Sequence, residues 1–192
     1  MFSKTTLENG LSVVFAPMAH VKSVTVLVMV KAGSKYETKN INGISHFLEH
    51  MFFKGTVKRP TALAISESLD AVGGEYNAFT SKEYTGYYAK VDSTHLDLAL
   101  DVVSDILLNS LLDEEEIEKE KGVIVEEMNM YYDAPMRYIH DVWERLLYGN
   151  DQPAGWDIIG TKEIIKTFTR DDLIHHLLRS FDTLAKSLVS PL

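Results

Sequence analysis

Two histidines and a glutamate stand inside an apolar run at residues 43–53, "GISHFLEHMFF". His46 and His50 are four apart, with Glu49 between them. Ionisable side chains are rarely buried without a partner, so the pattern needs a reason. On a helical wheel Phe47, Leu48, Met51 and Phe52 cluster around Ile44, while His46, Glu49 and His50 fall on the opposite side. Residues at i and i+4 point the same way, so both imidazoles can reach one ion. Zinc accepts neutral imidazole nitrogens in tetrahedral geometry, and a catalytic site keeps one position for water. Glu49 sits beside such a metal without having to ligate it, placed to take a proton from water that the metal has acidified. The alternative is a helix face open to solvent, with Glu49 as a surface charge.

A third ligand is required, and it cannot be a thiolate. The chain has no cysteine, which also excludes disulfides and a Cys nucleophile. The stretch "EIEKEKGVIVEEMNMYY" offers Glu120, Glu126 and Glu127. Ile117, Ile124, Met128 and Tyr131 recur at helical spacing and define the stripe that would be buried. Glu120 and Glu127 are seven apart, at the edge of that stripe, and Glu126 points away from it. Helix geometry therefore selects Glu127 as the inward carboxylate, with Glu120 one layer away. The plain alternative is that all three are surface charges.

The elements that must position these groups follow from local pattern. Asn9-Gly10 before an alternating apolar run is a hairpin signal. Residues 21–31, "VKSVTVLVMVK", are rich in β-branched side chains and read as a central strand. The helix holding "SHFLEHMFF" is capped by Asn42 or Ser45 and stops near Gly55. A second helix opens at Pro60-Thr61 and ends at Gly73-Gly74. "EYNAFTSKEYTGYYAKV" predicts two strands around a turn near Ser81-Lys82. Ser93 caps a helix to about Asn109. Asp113 starts another, with Glu116 completing a capping box. The chain is helical again from Pro135 to about Tyr148, and two short helices lie near 162–168 and 171–178. Early strands followed by helices give an α+β class, a mostly antiparallel sheet with helices packed on it, in one domain over 1–192.

Composition narrows the function. The 192 residues carry a formal net charge of -9 with 45% hydrophobic side chains, as in an ordinary globular protein. The acidity and the lack of a basic stretch argue against nucleic acid as a partner. No apolar run reaches the length of a membrane span, and the N-terminal stretch lacks the pattern of a secretory leader, so a cytoplasmic location is expected.

Taken together, "HFLEHMFFKGT", "VGGEYNAFTSKEYTGYYAKV" and "EKEKGVIVEEM", in this order, resemble the pitrilysin, insulinase and mitochondrial processing peptidase family. These are inverzincins, zinc metallopeptidases with an H-x-x-E-H signature. The likeness runs from about Leu7 to Leu173. It implies zinc as cofactor, His46, His50 and Glu127 as ligands, Glu49 as the catalytic base, and Glu120 as a glutamate that supports the ligand sphere. It implies that Asn77, Ala78 and Phe79, in "NAFT", belong to an edge strand that pairs with an extended peptide substrate. It also implies one unit of a two-unit clamshell, so a second homologous unit or subunit, or a homo-oligomer, is the expected partner. The implied function is a zinc endopeptidase acting on small or unfolded peptides; the alternative is a non-catalytic zinc-binding, scaffold or peptide-binding subunit. After residue 181 the family shows an apolar closing strand, for which "DTLAKSLVSPL" is short. His20, His95, His140 and the pair His175-His176 carry no ligand pattern, since adjacent helical residues diverge by about 100 degrees.

Overall fold

The computed structural model describes residues 1–181. Asn9 Oδ1 accepts from the Leu11 amide at 3.0 Å and turns the chain between β1 (Ser3–Thr6) and β2 (Ser12–Phe15), as the Asn-Gly pair predicts. Among the described residues these two strands pair only with each other, and every residue in them is exposed.

A second antiparallel sheet contains β3 (Ser23–Val30), β4 (Glu75–Thr80) and β5 (Thr85–Asp92) in the order β3-β5-β4. The expectation of a central strand at 21–31 is thereby corrected. Among the described strands β3 is an edge and β5 is central. The reason is pairing: β5 is bonded on both sides, to β3 and to β4, while β3, among the described strands, is bonded only to β5 and exposes Leu27 and Met29 on its outer face. A run of β-branched residues reads the same whether it has one or two strand neighbours.

The inner face of this sheet carries α3 (Leu96–Leu108), which packs across β3 and β5 through Ala99, Val102, Val103 and Ile106. A single 3₁₀ turn (Ser93–His95) precedes it. Asp92 caps that turn in place of Ser93, accepting from the Thr94 amide at 3.0 Å. The helix expected to open at Pro60-Thr61 is α2 (Ala62–Asp70), with Thr61 as its cap, accepting from the Ala64 amide. Asp113 caps α4 (Glu114–Tyr132) through the amides of Glu115 and Glu116. The expected return bond of a capping box is replaced by a contact of Glu116 with Lys119 at 2.6 Å. Beyond α4 lie α5 (Pro135–Tyr148), α6 (Lys162–Ile165) and α7 (Arg170–Ser180). The closing strand implied for "DTLAKSLVSPL" lies outside the described residues. The class is α+β, as expected. Among the described residues no helix is long and apolar enough to cross a membrane.

The helix that matters most is short. α1 (Ile44–Met51) ends four residues before Gly55 and lies against α4, β4 and α7. Neither Asn42 nor Ser45 caps it. The Asn42 amide donates to Glu37 and to the Asp157 carbonyl, and the Ser45 hydroxyl meets His176 Nε2 at 3.0 Å. The cap position is Gly43, at φ 97°. The loop after α1 is tied to α3, because Arg59 pairs with Asp105 at 2.7 Å and the Thr56 hydroxyl donates to the same carboxylate at 2.6 Å. Burial pushes the Asp105 carboxyl up, but Thr56, Asn109 and Arg59 outweigh it and hold the group below its ordinary value.

His176, behind α1, gives this packing a pH signature. Burial, with a smaller push from Arg179, takes its pKa down to about 4. The unfolded ring titrates near pH ~6.5, so between the two values the unfolded chain binds a proton that the folded chain refuses. Stability therefore falls as pH drops from about 6.5 towards 4. In urea unfolding the wild-type chain should lose roughly 2 kcal/mol more than His176→Gln on going from pH 7 to pH 5. Equal losses would mean that the ring titrates normally in the fold.

Candidate active site

α1 divides as its wheel predicts. Ile44, Phe47, Leu48 and Met51 are buried in the core, and His46, Glu49 and His50 turn towards a cavity of about 350 Å³. α4 supplies the facing wall. Ile117, Ile124 and Met128 bury its stripe, Glu126 stays exposed beside Asn129, and Glu127 faces the histidines. One ligand atom each from His46, His50 and Glu127 can be chosen so that all three lie within 4.8 Å of one another. Glu127 Oε2 is 3.7 Å from His46 Nε2 and 3.4 Å from His50 Nε2.

The remaining ring atom of His50 is engaged. Its Nδ1 meets Glu120 Oε1 at 2.8 Å, and Lys54 Nζ takes the other oxygen of that carboxylate at 2.5 Å. Glu120 is 2% exposed, so the layer assigned to it by the wheel is an interior one. Burial pushes its carboxyl up, but His50 and Lys54 more than offset this and hold it below its ordinary value. A carboxylate bonded at Nδ1 fixes the tautomer and leaves the Nε2 lone pair free for a cation.

The titration of the two rings separates sharply. Burial, helped by the charge of His50, takes His46 down to about 4, so it is neutral at pH 7. Burial also pulls His50 down, but Glu120 and Glu127 outweigh it and lift the ring to about 9. Glu127 is held low, first by the facing His50 ring. Two carboxylates thus hold a proton on His50, and a cation between Nε2 and Glu127 would take that proton's place.

Two further atoms bear on what fits here. Glu127 Oε2 and His46 Nδ1 are buried and, among the described residues, lack a hydrogen-bond partner of good geometry. A buried acceptor left this way is costly unless something else satisfies it. Two imidazoles and a carboxylate are a donor set suited to catalytic zinc, with room for a fourth ligand.

Glu49 is outside this triad. Its Oε2 accepts from the Thr80 hydroxyl at 2.5 Å, and burial raises its carboxyl against the pull of that bond and of His50. Thr80 closes β4, so Glu49 is tied to the sheet edge. Along β4, Asn77, Ala78 and Phe79 pair with Tyr88, Tyr87 and Gly86, and the other edge is open among the described strands. Ala78, Phe79 and Thr80 line the cavity, while Asn77 lies just beyond it. The Ala78 amide donates to Asn77 Oδ1 at 2.9 Å.

Several residues at the site are not assigned to it from the sequence, which places Tyr131 only in a buried stripe. Tyr131, Tyr132, Asp141 and Asp157 line the cavity. Burial, then Asp157 and Glu144, push the Asp141 carboxyl up. Lys54 and Thr80 act on Glu120 and Glu49 from 66 and 31 residues away in sequence. Only Lys54, four residues after His50, had a spacing that could have suggested its place.

Comparison with known proteins gives the same outline. Residues 13–155 match the family described as Insulinase (Peptidase family M16). An uncharacterized zinc protease of Bacillus subtilis, YmxG, is 48% identical over 177 residues, covering 92% of this chain and 43% of that protein. An uncharacterized zinc protease of Streptomyces coelicolor is 44% identical over 179 residues, covering 93% of this chain and 39% of that one. The chain therefore spans about two fifths of the length of these curated relatives. A protease from Helicobacter pylori superposes with a TM-score of 0.88 at 27% identity, over 96% of this chain and 44% of that chain. The first half of the periplasmic protease PqqL from Escherichia coli gives 0.82 at 26%, over 94% of this chain and 40% of that one. The match over residues 13–155 and the identity to these relatives place the chain in the insulinase family, peptidase family M16.

Proposed function

We propose that this chain is the zinc-holding catalytic unit of an endopeptidase that cuts small or unfolded peptides. The observation that carries the reading is the approach of His46, His50 and Glu127 to one point, with Glu49 beside them and outside the triad. The names of the curated relatives, zinc proteases at 44% and 48% identity, support the choice of metal. Zinc held there would polarise a scissile carbonyl and acidify the attacking water. Glu49 would accept that water's proton and hand it to the leaving amine, its carboxylate oriented by Thr80. Glu120 would keep the His50 ring turned to its task. Asn77, Ala78 and Phe79 would receive an extended substrate along the open edge of β4. Such a peptide must first displace the bond between the Ala78 amide and Asn77.

A second homologous unit is the partner we assign. It is supported by the share of the relatives that this chain spans and by the fit to the first half of PqqL. The other half of the substrate cradle would come from that unit, so peptide hydrolysis is expected to be weak for this chain alone and to rise when the unit is supplied.

Metal binding tests the reading directly. Titration should give one zinc per chain, and His46→Ala should abolish it; a variant that binds as well as wild type would remove the ligand assignment. Glu120→Gln should weaken zinc binding about tenfold or more, measured by competition with a chelator. Glu49→Gln should keep the zinc and lower hydrolysis of an unstructured peptide by about 10²- to 10⁴-fold. Hydrolysis at the full rate would show that Glu49 is not the base.

A further inference from the structure

The N-terminus of α1 is built in an unusual way. Its cap residue, Gly43, lies against Gly160 at the end of the loop before α6, and both take left-handed φ, 97° and 81°. A Cβ on Gly43 would stand 2.7 Å from the Ile159 carbonyl oxygen, and one on Gly160 would stand 2.4 Å from the Asn42 oxygen. The usual capping residues, Ser, Thr, Asp and Asn, are therefore shut out of the cap position. A helix start still leaves amides without partners inside the helix, and these are buried here.

Glu37 supplies what the cap position cannot. Its side chain reaches in from the loop, 3% exposed, and accepts from the Gly43 amide at 2.8 Å and the Ser45 amide at 2.9 Å, one on each oxygen. Asn42 Nδ2 donates to the first of these oxygens at 3.0 Å and also to the Asp157 carbonyl at 3.1 Å. All three partners of the carboxylate are donors. Burial pushes its carboxyl up, and these donors oppose the push. An anion at this end of the helix also faces the positive end of the backbone dipole. His46 begins one residue after Ser45, so the direction of the first ligand is set by the turn that Glu37 holds.

We propose that Glu37 is a positioning residue for the metal centre: a remote carboxylate cap that fixes the first turn of α1 and with it the direction of His46 and His50. This rests on the reading of those histidines as zinc ligands. Glu37 touches neither metal nor substrate. Its role is distinct from that of Glu120, which bonds a ligand ring directly.

The test uses the full chain, Glu37→Gln, and Ile106→Val as a control for stability lost in the core far from the site. Glu37→Gln keeps the shape but sets an N–H against a backbone N–H. It should weaken zinc binding about tenfold and shift the d–d spectrum of the Co²⁺-substituted chain, which reports ligand geometry. Ile106→Val should leave both unchanged. Zinc affinity and spectrum at wild-type values in Glu37→Gln would overturn the proposal, as would an equal effect in Ile106→Val. If Glu37→Gln does not fold, amide exchange in the wild-type chain decides. The Ser45 amide should exchange about as slowly as the core of α4, and fast exchange would overturn the cap. Absence of zinc binding by the wild-type chain would instead overturn the functional reading, and the Ser45 exchange would still test the cap by itself.

Discussion

Charges can be kept at the seam between α1 and α4 only if each has another to answer it. Four ionisable groups meet there, His46, His50, Glu120 and Glu127, and Lys54 closes the set from the end of α1. An unpaired charge in such a place would cost several kcal/mol, on the order of the chain's whole stability. The groups divide the problem between them. His46 sheds its proton to burial, His50 keeps one against two carboxylates, and Lys54 neutralises the deeper glutamate. A divalent cation in place of the His50 proton would add one positive charge to the set, with Glu49 on the same cavity as the carboxylate beside it.

Everything around the seam serves to keep α1 still. An eight-residue helix does not hold itself in water. Its lower face is fixed by core contacts, Phe47 packing edge-on against Phe168 and Phe52 against Tyr87 just after it. The loop beyond it is pinned to α3 by the Arg59–Asp105 pair, and its first turn is held by Glu37. Thr80 links the upper face to β4. The helix is thus fixed by four different parts of the chain, none of which lies within it.

The faces of α1 and α4 were legible in the sequence because helical period is a local property. The two sides of α1, and the choice of Glu127 over Glu126 as the inward carboxylate, follow from about 100 degrees per residue and nothing more. The α+β class and the Asn-Gly hairpin were open to reading for the same reason. What failed depended on tertiary neighbours. Residues 21–31 look like a central strand because β-branched residues suit any pleated surface; which strands lie beside them is set by pairing with distant segments. Asn42 and Ser45 are good caps by composition, but Asn42 is recruited by nearby Glu37 and distant Asp157, and Ser45 by distant His176. Glu37 carried no signal, since its function depends on a steric block between two glycines that are 117 positions apart.

The bond between the Ala78 amide and Asn77 has a consequence for the protein's life among copies of itself. An open strand edge invites pairing with any extended chain, including a neighbour's identical edge, and so is a seed for aggregation. Here one amide of that edge is already occupied by a side chain from the same strand. A second copy meeting the edge finds that amide taken, so the strand is partly guarded against its own kind.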